Sequence, residues 1–529
     1  MSTVTEQCES ILVAGAWESG SPTSTFQAFN PTANETLPTS FPVSSWEDCE
    51  RVLDAAAKAA EELRGLPAEK IAEFLEAYAD LIDANIDELA TLANQETGLP
   101  VEPRLAKVEG PRTSGQLRQA AAAAREGTWA QATIDTATNI RSIYEAIGPV
   151  CVFGPNNFPF AFNSLAGGDF AAAIAAGNPV IGKANTSHPA TTKRLGELAL
   201  EAVKKTGLPD ATVQLIYRVS HSDGAKLVAD PRVAAVGYTG SRGAGLKLKE
   251  AADKVGTPIY LELSSVNPVV LMPGALADRG DELVDEFVTS VLMGTGQFCT
   301  NPGLVLALAG ESTDKFVSAV HAKFEATQPG VLLSQSVQSS LTSAVETLTS
   351  AGAELLCGGS AVDGACKVSN SLLKAPAAKF LADPEVFQTE AFGNASLIVV
   401  AESAEQLADV LRALEGNLTG CVYSSASGSD DAAYDLVAPI LATKVGRVLN
   451  DKMPTGVAVS AAMNHGGPFP ATGHPGFTAV GIPASLPRFA KLTCYDAVRP
   501  GRLPVLLQDK NPTGAFRFVD GKWTLDDVS

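Results

Sequence analysis

The region between residues 149 and 263 alternates short apolar runs with helical stretches, and this alternation restricts the fold more than any other feature of the chain. Short runs that alternate with helices predict a parallel α/β sheet. Ligands of such a sheet bind beyond the carboxyl ends of its strands. The apolar runs lie at 149–154, 179–183, 212–217, 233–238 and 258–263, and the predicted helices include 161–176 and 189–206.

The rest of the chain extends this pattern on both sides. Apolar residues at helical intervals predict helices over 45–95 and 111–126, and residues 265–450 predict a second mixed α/β region. Threonine and isoleucine in 128–147 predict strands that form a hairpin arm. Gly- and Pro-rich residues 464–483 are expected to form an ordered loop, and the polar tail from 505 is expected to be loosely held.

Charge and composition exclude several classes of partner. The net charge of −20 would repel nucleic acid and anionic membrane surfaces. Met1–Ser10 lacks the basic start and apolar run of a secretory signal, and no apolar stretch is long enough to span a bilayer. We therefore expect a cytoplasmic protein whose 529 residues form two or three domains.

The eight cysteines are widely separated, form no CxxC pair, and have none of the five histidines near them in sequence. This pattern predicts neither a disulfide framework nor a metal site. Most of the cysteines are expected to pack as small core residues. Cys299 differs because its segment, MGTGQFCTNPG, is rich in glycine rather than apolar, so its thiol is a candidate nucleophile.

Three further segments suggest chemistry, and each has a structural alternative. Glu262 ends an apolar run, where a buried carboxylate could act as a general base, although this residue taken alone favours a solvated glutamate at a strand end. The segment from Thr239 to Gly245 follows a strand and opens a helix, which suits either a phosphate cradle or a plain turn. Asn156 and Asn157 lie in a turn where an amide could face an oxyanion or only stabilise the turn.

Taken together and in order, the motifs resemble the aldehyde dehydrogenase superfamily over roughly residues 10 to 500. They read FGPNNFP, GKANTSHP, YTGSRGAG, LELSSVNP, GQFCTNPG and TEAFGN. Three other segments resemble the branch with 2-oxoglutarate semialdehyde (2,5-dioxopentanoate) dehydrogenases and NADP-dependent fatty aldehyde dehydrogenases; they read AFNSLAGGD, NPVVLMPGAL and HGGPFPAT. The resemblance implies an aldehyde dehydrogenase-like fold and NAD(P)-dependent oxidation of an aldehyde to a carboxylic acid.

The resemblance also implies a role for each matching position. Cys299 corresponds to the nucleophile, Asn157 to the oxyanion donor and Glu262 to the general base that activates water. The cofactor positions are Lys183 at the adenosine ribose, Ser241 with Gly240 and Gly245 at the pyrophosphate, and Glu390 with Phe392 at the nicotinamide ribose.

Four positions depart from the family pattern. Ser264 and Ser265 replace two glycines after the general base, and Asn394 replaces a proline. Thr186 stands where NAD-preferring members carry a glutamate, which would repel a 2′-phosphate. We therefore predict NADP as the cofactor, with NAD also accepted. Arg218 or His221 could add a cation there.

Several other functions fit these residues less well. A CoA-acylating semialdehyde dehydrogenase would lack Glu262, and a non-enzymatic protein would not need the cysteine, asparagine and glutamate together. A cofactor-independent cysteine esterase is a further alternative, but no histidine partner for Cys299 is evident in the sequence. The favoured semialdehyde carries a carboxylate that needs a cation near the site. Arg112 and Arg118 on the predicted helix are candidates for that cation, although both could simply lie on a solvated helix face. A long-chain fatty aldehyde would instead suit the aromatic residues Phe158, Phe160, Phe162 and Phe298.

The resemblance finally implies the domain plan and assembly. We expect a dinucleotide-binding domain at 1–126 and 147–264 and a catalytic domain at 265–483. Residues 127–146 and 484–529 would form an oligomerisation arm and a C-terminal segment, in a homodimer or homotetramer.

Overall fold

The structure is a computed structural model that describes residues 8–528. Residues 1–7, and with them most of the polar N-terminal segment considered for a signal, lie outside the described part. Within residues 8–528, no helix is both long enough and apolar enough to cross a membrane.

The described chain contains strands throughout its length. In chain order they are β1 (Ile11–Val13), β2 (Ala16–Glu18), β3 (Ser24–Asn30), β4 (Glu35–Val43), β5 (Thr133–Asp135), β6 (Ile140–Ala146), β7 (Val150–Phe153), β8 (Val180–Lys183), β9 (Val213–Ile216), β10 (Ala235–Thr239), β11 (Ile259–Glu262), β12 (Val269–Leu271), β13 (Leu304–Leu308), β14 (Glu354–Cys357), β15 (Ser371–Pro376), β16 (Ala395–Ala401), β17 (Asn417–Tyr423), β18 (Val445–Asn450), β19 (Ala490–Asp496), β20 (Arg517–Val519) and β21 (Lys522–Thr524).

Helices cover the sheets. In chain order they are α1 (Trp46–Leu63), α2 (Ala68–Ala84), α3 (Ile86–Thr97), α4 (Gly110–Glu126), α5 (Gly168–Ala175), α6 (Pro189–Thr206), α7 (His221–Val228), α8 (Arg242–Asp253), α9 (Pro273–Leu292), α10 (Glu311–Ala326), α11 (Gln335–Ser350), α12 (Ala377–Ala382), α13 (Pro384–Phe387), α14 (Ala404–Ala413) and α15 (Asp431–Ala442). A π-helical segment, Val101–Glu109, leads into α4.

Two seven-stranded sheets and a smaller one organise the chain. The first has the order β11-β10-β7-β8-β9-β1-β2, and the second has the order β14-β15-β16-β13-β12-β17-β18. Strands β7 to β11 all run parallel, as the alternation between residues 149 and 263 predicts. The third sheet, β19-β6-β5-β20-β21, contains the predicted hairpin arm. The α/β fold expected from the sequence is therefore confirmed, while the domain boundaries stay a prediction.

The predicted helix over 161–176 is wrong in its first half, because only α5 is helical there. The residues before it form turns in which Asn163 accepts from the backbone N–H of Leu165 and donates to the Pro159 carbonyl. Gly167 also approaches the Phe162 backbone so closely that a Cβ would lie 2.5 Å from its Cα. An asparagine that bonds its own backbone competes with helix formation.

The expectation of a loosely held tail is also wrong. Strand β20 pairs with β5, and β21 pairs with β20. Arg517 is completely buried and donates to the carbonyls of Gln508 (2.5 Å) and Asp526 (2.8 Å). The polar composition of the tail did not reveal that a single buried arginine would hold it in place through hydrogen bonds to its backbone carbonyls.

Candidate active site

The strand register of the first sheet brings the predicted motifs to one edge. Lys183, the last residue of β8, pairs with Phe153 at the end of β7. Glu262, the last residue of β11, pairs with Thr239 at the end of β10. Because these strands are parallel, their carboxyl ends meet at the same edge, where α/β sheets bind ligands.

Cys299 reaches this edge on a loop that follows α9. Gly294, Thr295 and Gly296 have φ angles of 56°, 58° and 68°, so the chain turns sharply through the left-handed region. A Cβ on Gly296 would lie 2.0 Å from the Gly393 carbonyl oxygen, so only glycine fits there. The Asn267 amide donates to the Cys299 carbonyl at 2.8 Å and thereby holds the loop that carries the thiol.

The thiol lies beside a histidine and a glutamate. Cys299 Sγ is 3.4 Å from His465 Nε2, and the same nitrogen is 2.8 Å from Glu262 Oε1. Both His465 and Glu262 are 1% exposed, so water does not compete for their contact. Glu262 Oε2 is buried and has no hydrogen-bond partner within the described chain, which leaves one carboxylate oxygen free.

No histidine partner for Cys299 is evident in the sequence, but the structure brings His465 to the thiol. The Gly- and Pro-rich loop 464–483 runs along the outer edge of β11, where Leu263 N donates to the Ala471 carbonyl at 2.8 Å. The His465 backbone N–H donates to Thr478 Oγ1 at 3.0 Å, which orients the start of this loop. The only sequence signal was the segment HGGPFPAT, which contains this histidine.

The same cluster bears on the expectation of no metal site. A thiol sulfur, an imidazole nitrogen and a carboxylate oxygen from Cys299, His465 and Glu262 lie within 4.8 Å of one another. These are ligand types that transition metals accept. Their proximity equally suits proton exchange, and the absence of a resident metal stays a prediction.

Its surroundings hold Cys299 in the neutral thiol form. Burial raises the pKa of Cys299 well above its usual value, and the charge of Glu262 raises it further. The positive charge of Arg112 acts in the opposite direction. The thiol therefore needs a group that takes its proton, and the hydrogen-bonded pair of His465 and Glu262 is within reach.

Asn157 is anchored next to the cysteine loop. Its Nδ2 donates to the Gln297 carbonyl at 3.0 Å, two residues before Cys299. Its own carbonyl accepts from Arg104 Nη2 at 3.1 Å. A side-chain amide carries two N–H donors, so one remains free to reach a developing oxyanion.

A cavity of about 300 Å³ opens onto the thiol. Five of the six motifs that resemble the superfamily contribute lining residues, and the motif with Lys183 does not; the lining residues include Asn157, Gly240, Ser241, Glu262, Cys299, Glu390 and Phe392. Gly245 does not line the cavity. A Cβ at this position would lie 2.5 Å from Leu263 Cδ2, so the glycine lets α8 pack against the residue after Glu262.

The two serines that depart from the family pattern have defined partners. Ser265 is buried, and its hydroxyl contacts the side-chain oxygens of Asn267 (2.9 Å) and Asn417 (3.1 Å). Burial raises the pKa of Glu390 to about 7, while hydrogen bonds from the Ser264 hydroxyl and the Ser265 backbone N–H act to lower it. The serines therefore belong to a hydrogen-bond network: Ser265 bonds to Asn267 and Asn417, and both serines bond to the carboxylate of Glu390.

Lys183 and Thr186 lie beyond the cavity on the same edge. Burial and, as the smaller cause, the neighbouring positive charge of Arg218 together lower the pKa of Lys183 to about 8. Thr186 is exposed three residues later, and Arg218 is exposed as well. The positive charges of Lys183 and Arg218 repel each other. A phosphate group bound between them would offset this repulsion, so the pair suits a phosphate-binding site.

The candidate substrate residues separate into two groups. Phe158, Phe162 and Phe298 pack together with Phe477 beside the thiol, whereas Phe160 is buried in the main core. Arg118 pairs with Asp80 and Asp83 on the surface, so it belongs to a solvated helix face. Arg112 stays near the aromatic group, with its guanidinium 5.2 Å from the Phe162 ring centre.

The fold and the site define a class of oxidoreductase. A parallel sheet presents a cavity at its carboxyl edge, and a half-buried thiol with acid–base partners lines that cavity. Thiols add to carbonyl groups, and such an adduct can release a hydride. This class comprises the dehydrogenases that oxidise aldehydes.

Comparison with known proteins identifies the family. The aldehyde dehydrogenase family model matches residues 17–467, so the chain belongs to that family. It is 41% identical to alpha-ketoglutaric semialdehyde dehydrogenase 2 of Azospirillum brasilense, over 94% of this chain and 96% of the relative. It is 34% identical to alpha-ketoglutaric semialdehyde dehydrogenase of Acinetobacter baylyi, with the same coverage of both chains.

Solved structures agree on the fold. Betaine aldehyde dehydrogenase of Staphylococcus aureus matches with a TM-score of 0.80 and 22% identity, over 93% of this chain and 96% of that one. At this identity the likeness concerns the architecture alone. The protein is thus an NAD(P)-dependent oxidoreductase that acts on aldehydes.

Proposed function

We propose that the protein oxidises 2-oxoglutarate semialdehyde (2,5-dioxopentanoate) to 2-oxoglutarate, with Cys299 as the nucleophile and NADP as the hydride acceptor. The observation that carries the chemical part is the contact of Cys299 with His465 and, through it, with Glu262. The substrate follows from the two alpha-ketoglutaric semialdehyde dehydrogenases that resemble nearly the whole chain. One aldehyde, one NADP⁺ and one water yield one carboxylic acid, one NADPH and one proton.

The first half of the reaction uses the thiol and the histidine. The pair of Glu262 and His465, joined by the contact of Oε1 with Nε2, takes the proton of Cys299 as Sγ bonds to the aldehyde carbon, and the pair releases this proton before the second half of the reaction. The free N–H of Asn157 and the backbone N–H of Cys299 stabilise the oxyanion. When bound, the nicotinamide supplies a hydride acceptor, and loss of hydride from the adduct leaves a thioester on Cys299.

The second half uses the glutamate. The unpartnered Oε2 of Glu262 is free to accept a proton from water beside the thioester carbonyl. Water adds to the carbonyl carbon, the C–S bond breaks, and the proton held by Glu262 or His465 returns to Sγ. Because water rather than CoA takes the acyl group, the product is the free acid.

The cofactor fits residues that the structure presents. Ser241, Glu390 and Phe392 line the cavity that leads to Cys299. Lys183 and Arg218 lie together beyond it, and their mutual repulsion would be relieved by a 2′-phosphate. Thr186 adds a hydroxyl and no negative charge, so we propose that NADP is preferred over NAD.

Two alternatives have an observation in their favour. The apolar group of Phe158, Phe162, Phe298 and Phe477 would suit a long-chain fatty aldehyde. His465 gives a cofactor-independent cysteine esterase the histidine partner that the sequence did not reveal. If the protein were an esterase, the cavity and the Lys183–Arg218 pair would have no function. If the substrate were a fatty aldehyde, the positive charge of Arg112 would have no function.

We further propose that the enzyme acts in the cytoplasm as a homodimer or homotetramer. All eight cysteines are free, which suits a reducing compartment. Strands β18 and β19 lie at sheet edges, and Val448 and Leu492 on them are 49% and 60% exposed. Exposed apolar side chains on an unpaired edge suit pairing with a second chain.

The test is cofactor reduction by the purified protein, followed by absorbance. 2,5-Dioxopentanoate, succinate semialdehyde, hexanal and dodecanal would each be supplied with NADP and with NAD, and Cys299→Ala would be the control. The proposal expects the highest kcat/KM for the dioxo acid with NADP. A higher kcat/KM for dodecanal would replace the substrate with a fatty aldehyde, and ester hydrolysis without any reduction would favour the esterase.

A further inference from the structure

A buried ion pair lies next to the segment that carries Asn157, and the reaction described above does not use it. Arg104 and Glu109, both in the π-helical segment, pair at 2.5 Å, and their side chains are only 12% and 0% exposed. Moving two charges out of water costs free energy that two apolar side chains in their place would not cost. The stability of the fold therefore does not by itself account for this pair.

Both members of the pair also bind the backbone that carries Asn157. Arg104 Nη2 donates to the Asn157 carbonyl at 3.1 Å. Glu109 Oε1 accepts from the backbone N–H groups of Phe160 and Ala161, at 2.8 Å and 3.0 Å. Each charged side chain thus uses one end for the ion pair and the other end for the backbone. The peptide groups that follow Asn157 are therefore fixed in direction, and the direction of its side chain depends on them.

The guanidinium of Arg104 contacts the cysteine loop as well. It lies 4.4 Å from the ring centre of Phe158 and 5.3 Å from that of Phe298, and the two rings meet edge to face. Phe158 directly follows Asn157, and Phe298 directly precedes Cys299. A cation over an aromatic face is attracted to it. Arg104 therefore links the segment of the oxyanion donor to the loop of the nucleophile.

We propose that Arg104, through its ion pair with Glu109, is a positioning residue that holds the amide of Asn157 at the place where the oxyanion forms. The proposal rests on the proposed function, in which Asn157 donates to that oxygen. A misplacement of about 1 Å in such a site costs on the order of a hundredfold in rate. The bond from Asn157 Nδ2 to the Gln297 carbonyl stays in place without Arg104, so we expect a smaller loss.

Acylation by 4-nitrophenyl acetate tests this step without a cofactor or an aldehyde. Sγ of Cys299 bonds to the acetyl carbon, an oxyanion forms, and 4-nitrophenolate leaves, so the step needs the same donor. In Arg104→Met, nitrophenolate release in the first turnover should slow by about tenfold. The kcat/KM for the aldehyde should fall by a similar factor, while KM for NADP stays unchanged. Arg104→Lys, which keeps the charge without the fork, should recover part of the rate.

Two measurements separate positioning from loss of structure. Iodoacetamide alkylates Cys299 without forming an oxyanion, so Arg104→Met should be alkylated at the rate of the wild type. Arg104→Met/Glu109→Gln removes both buried charges, so its melting temperature should return from that of Arg104→Met toward that of the wild type. Its acylation should stay slow, because the Asn157 carbonyl still lacks a donor. Arg118→Met is the control, since Arg118 pairs with surface aspartates and should change none of these rates.

Asn157→Ala provides the decisive background. If Arg104 acts only through Asn157, Arg104→Met should slow the acylation of Asn157→Ala no further. Losses that add in the double variant, or alkylation that slows as much as acylation, would overturn the inference and make Arg104 a structural residue. A preference of the wild type for dodecanal would reject the proposed substrate, whereas the ester would still decide the role of Arg104.

Discussion

His465 Nε2 lies between Cys299 Sγ, at 3.4 Å, and Glu262 Oε1, at 2.8 Å. One imidazole nitrogen therefore contacts both the candidate nucleophile and the candidate general base. Because Glu262 also raises the pKa of the thiol, the proton of Cys299 is not released without a nearby acceptor. This relationship makes the histidine a testable part of the site.

His465→Gln should lower the reactivity of Cys299. Without the imidazole, the thiol keeps its raised pKa and lacks a proton acceptor, so alkylation by iodoacetamide at pH 7 should slow. We expect kcat/KM to fall by about a hundredfold, the usual scale of acid–base assistance. The control is His474→Gln, in the same loop, whose ring accepts a hydrogen bond only from the Gly476 backbone N–H among residues 8–528; this variant should change neither rate.

Glu262→Gln should separate the two halves of the reaction. Removal of the negative charge lowers the pKa of Cys299, so its alkylation profile should move to lower pH. Hydrolysis of the thioester should slow by about a hundredfold or more, because water loses its base. Stopped-flow absorbance should then show a burst of NADPH close to one per active site. A steady state without a burst would mean that Glu262 acts before hydride transfer.

Thr186→Glu should reverse the cofactor preference. The new carboxylate would lie near Lys183 and Arg218 and repel a 2′-phosphate, so KM for NADP should rise by about tenfold or more, which corresponds to ~1.4 kcal/mol. KM for NAD should stay similar or improve. Thr186→Gln, of the same size without the charge, is the control; an equal change in both variants would mean that size, and not charge, decides.

The affinity of the free enzyme for NADP should depend on the protonation of Lys183. With a pKa of about 8, Lys183 is charged below that pH and becomes neutral as the pH rises through it. A phosphate that binds beside it favours the charged form and raises its pKa. Fluorescence titration should therefore show NADP affinity falling from pH 7 to pH 9, and a flat profile would remove Lys183 from the phosphate site.

Two glycines at the start of α8 should respond differently to alanine. A Cβ at Gly245 would collide with Leu263, so Gly245→Ala should lower the free energy of unfolding by about 1–3 kcal/mol. At Gly243 a Cβ meets no atom within 4 Å, so Gly243→Ala should be neutral or stabilise the helix by up to ~1 kcal/mol. Urea denaturation measures both. A loss of stability in Gly243→Ala would contradict the assignment of open space there.

The sequence alone determined the architecture of the first sheet and the positions of the main motifs. Periodicity predicts strands such as β8 and the helix α6 because each uses local preferences that a single segment contains. The order of the motifs from Asn157 to Glu390 was enough to indicate the family, and Thr186 was enough to suggest the cofactor. None of these inferences requires knowing which distant segments touch.

Tertiary structure alone decided which groups meet the thiol. His465 is far from Cys299 in sequence, and it arrives only because the loop 464–483 bonds along the edge of β11. Arg112 and Arg118 looked alike on one helix, yet packing left one without a partner and paired the other with Asp80. Local sequence encodes the elements, whereas side-chain partners depend on long-range packing that no single segment specifies.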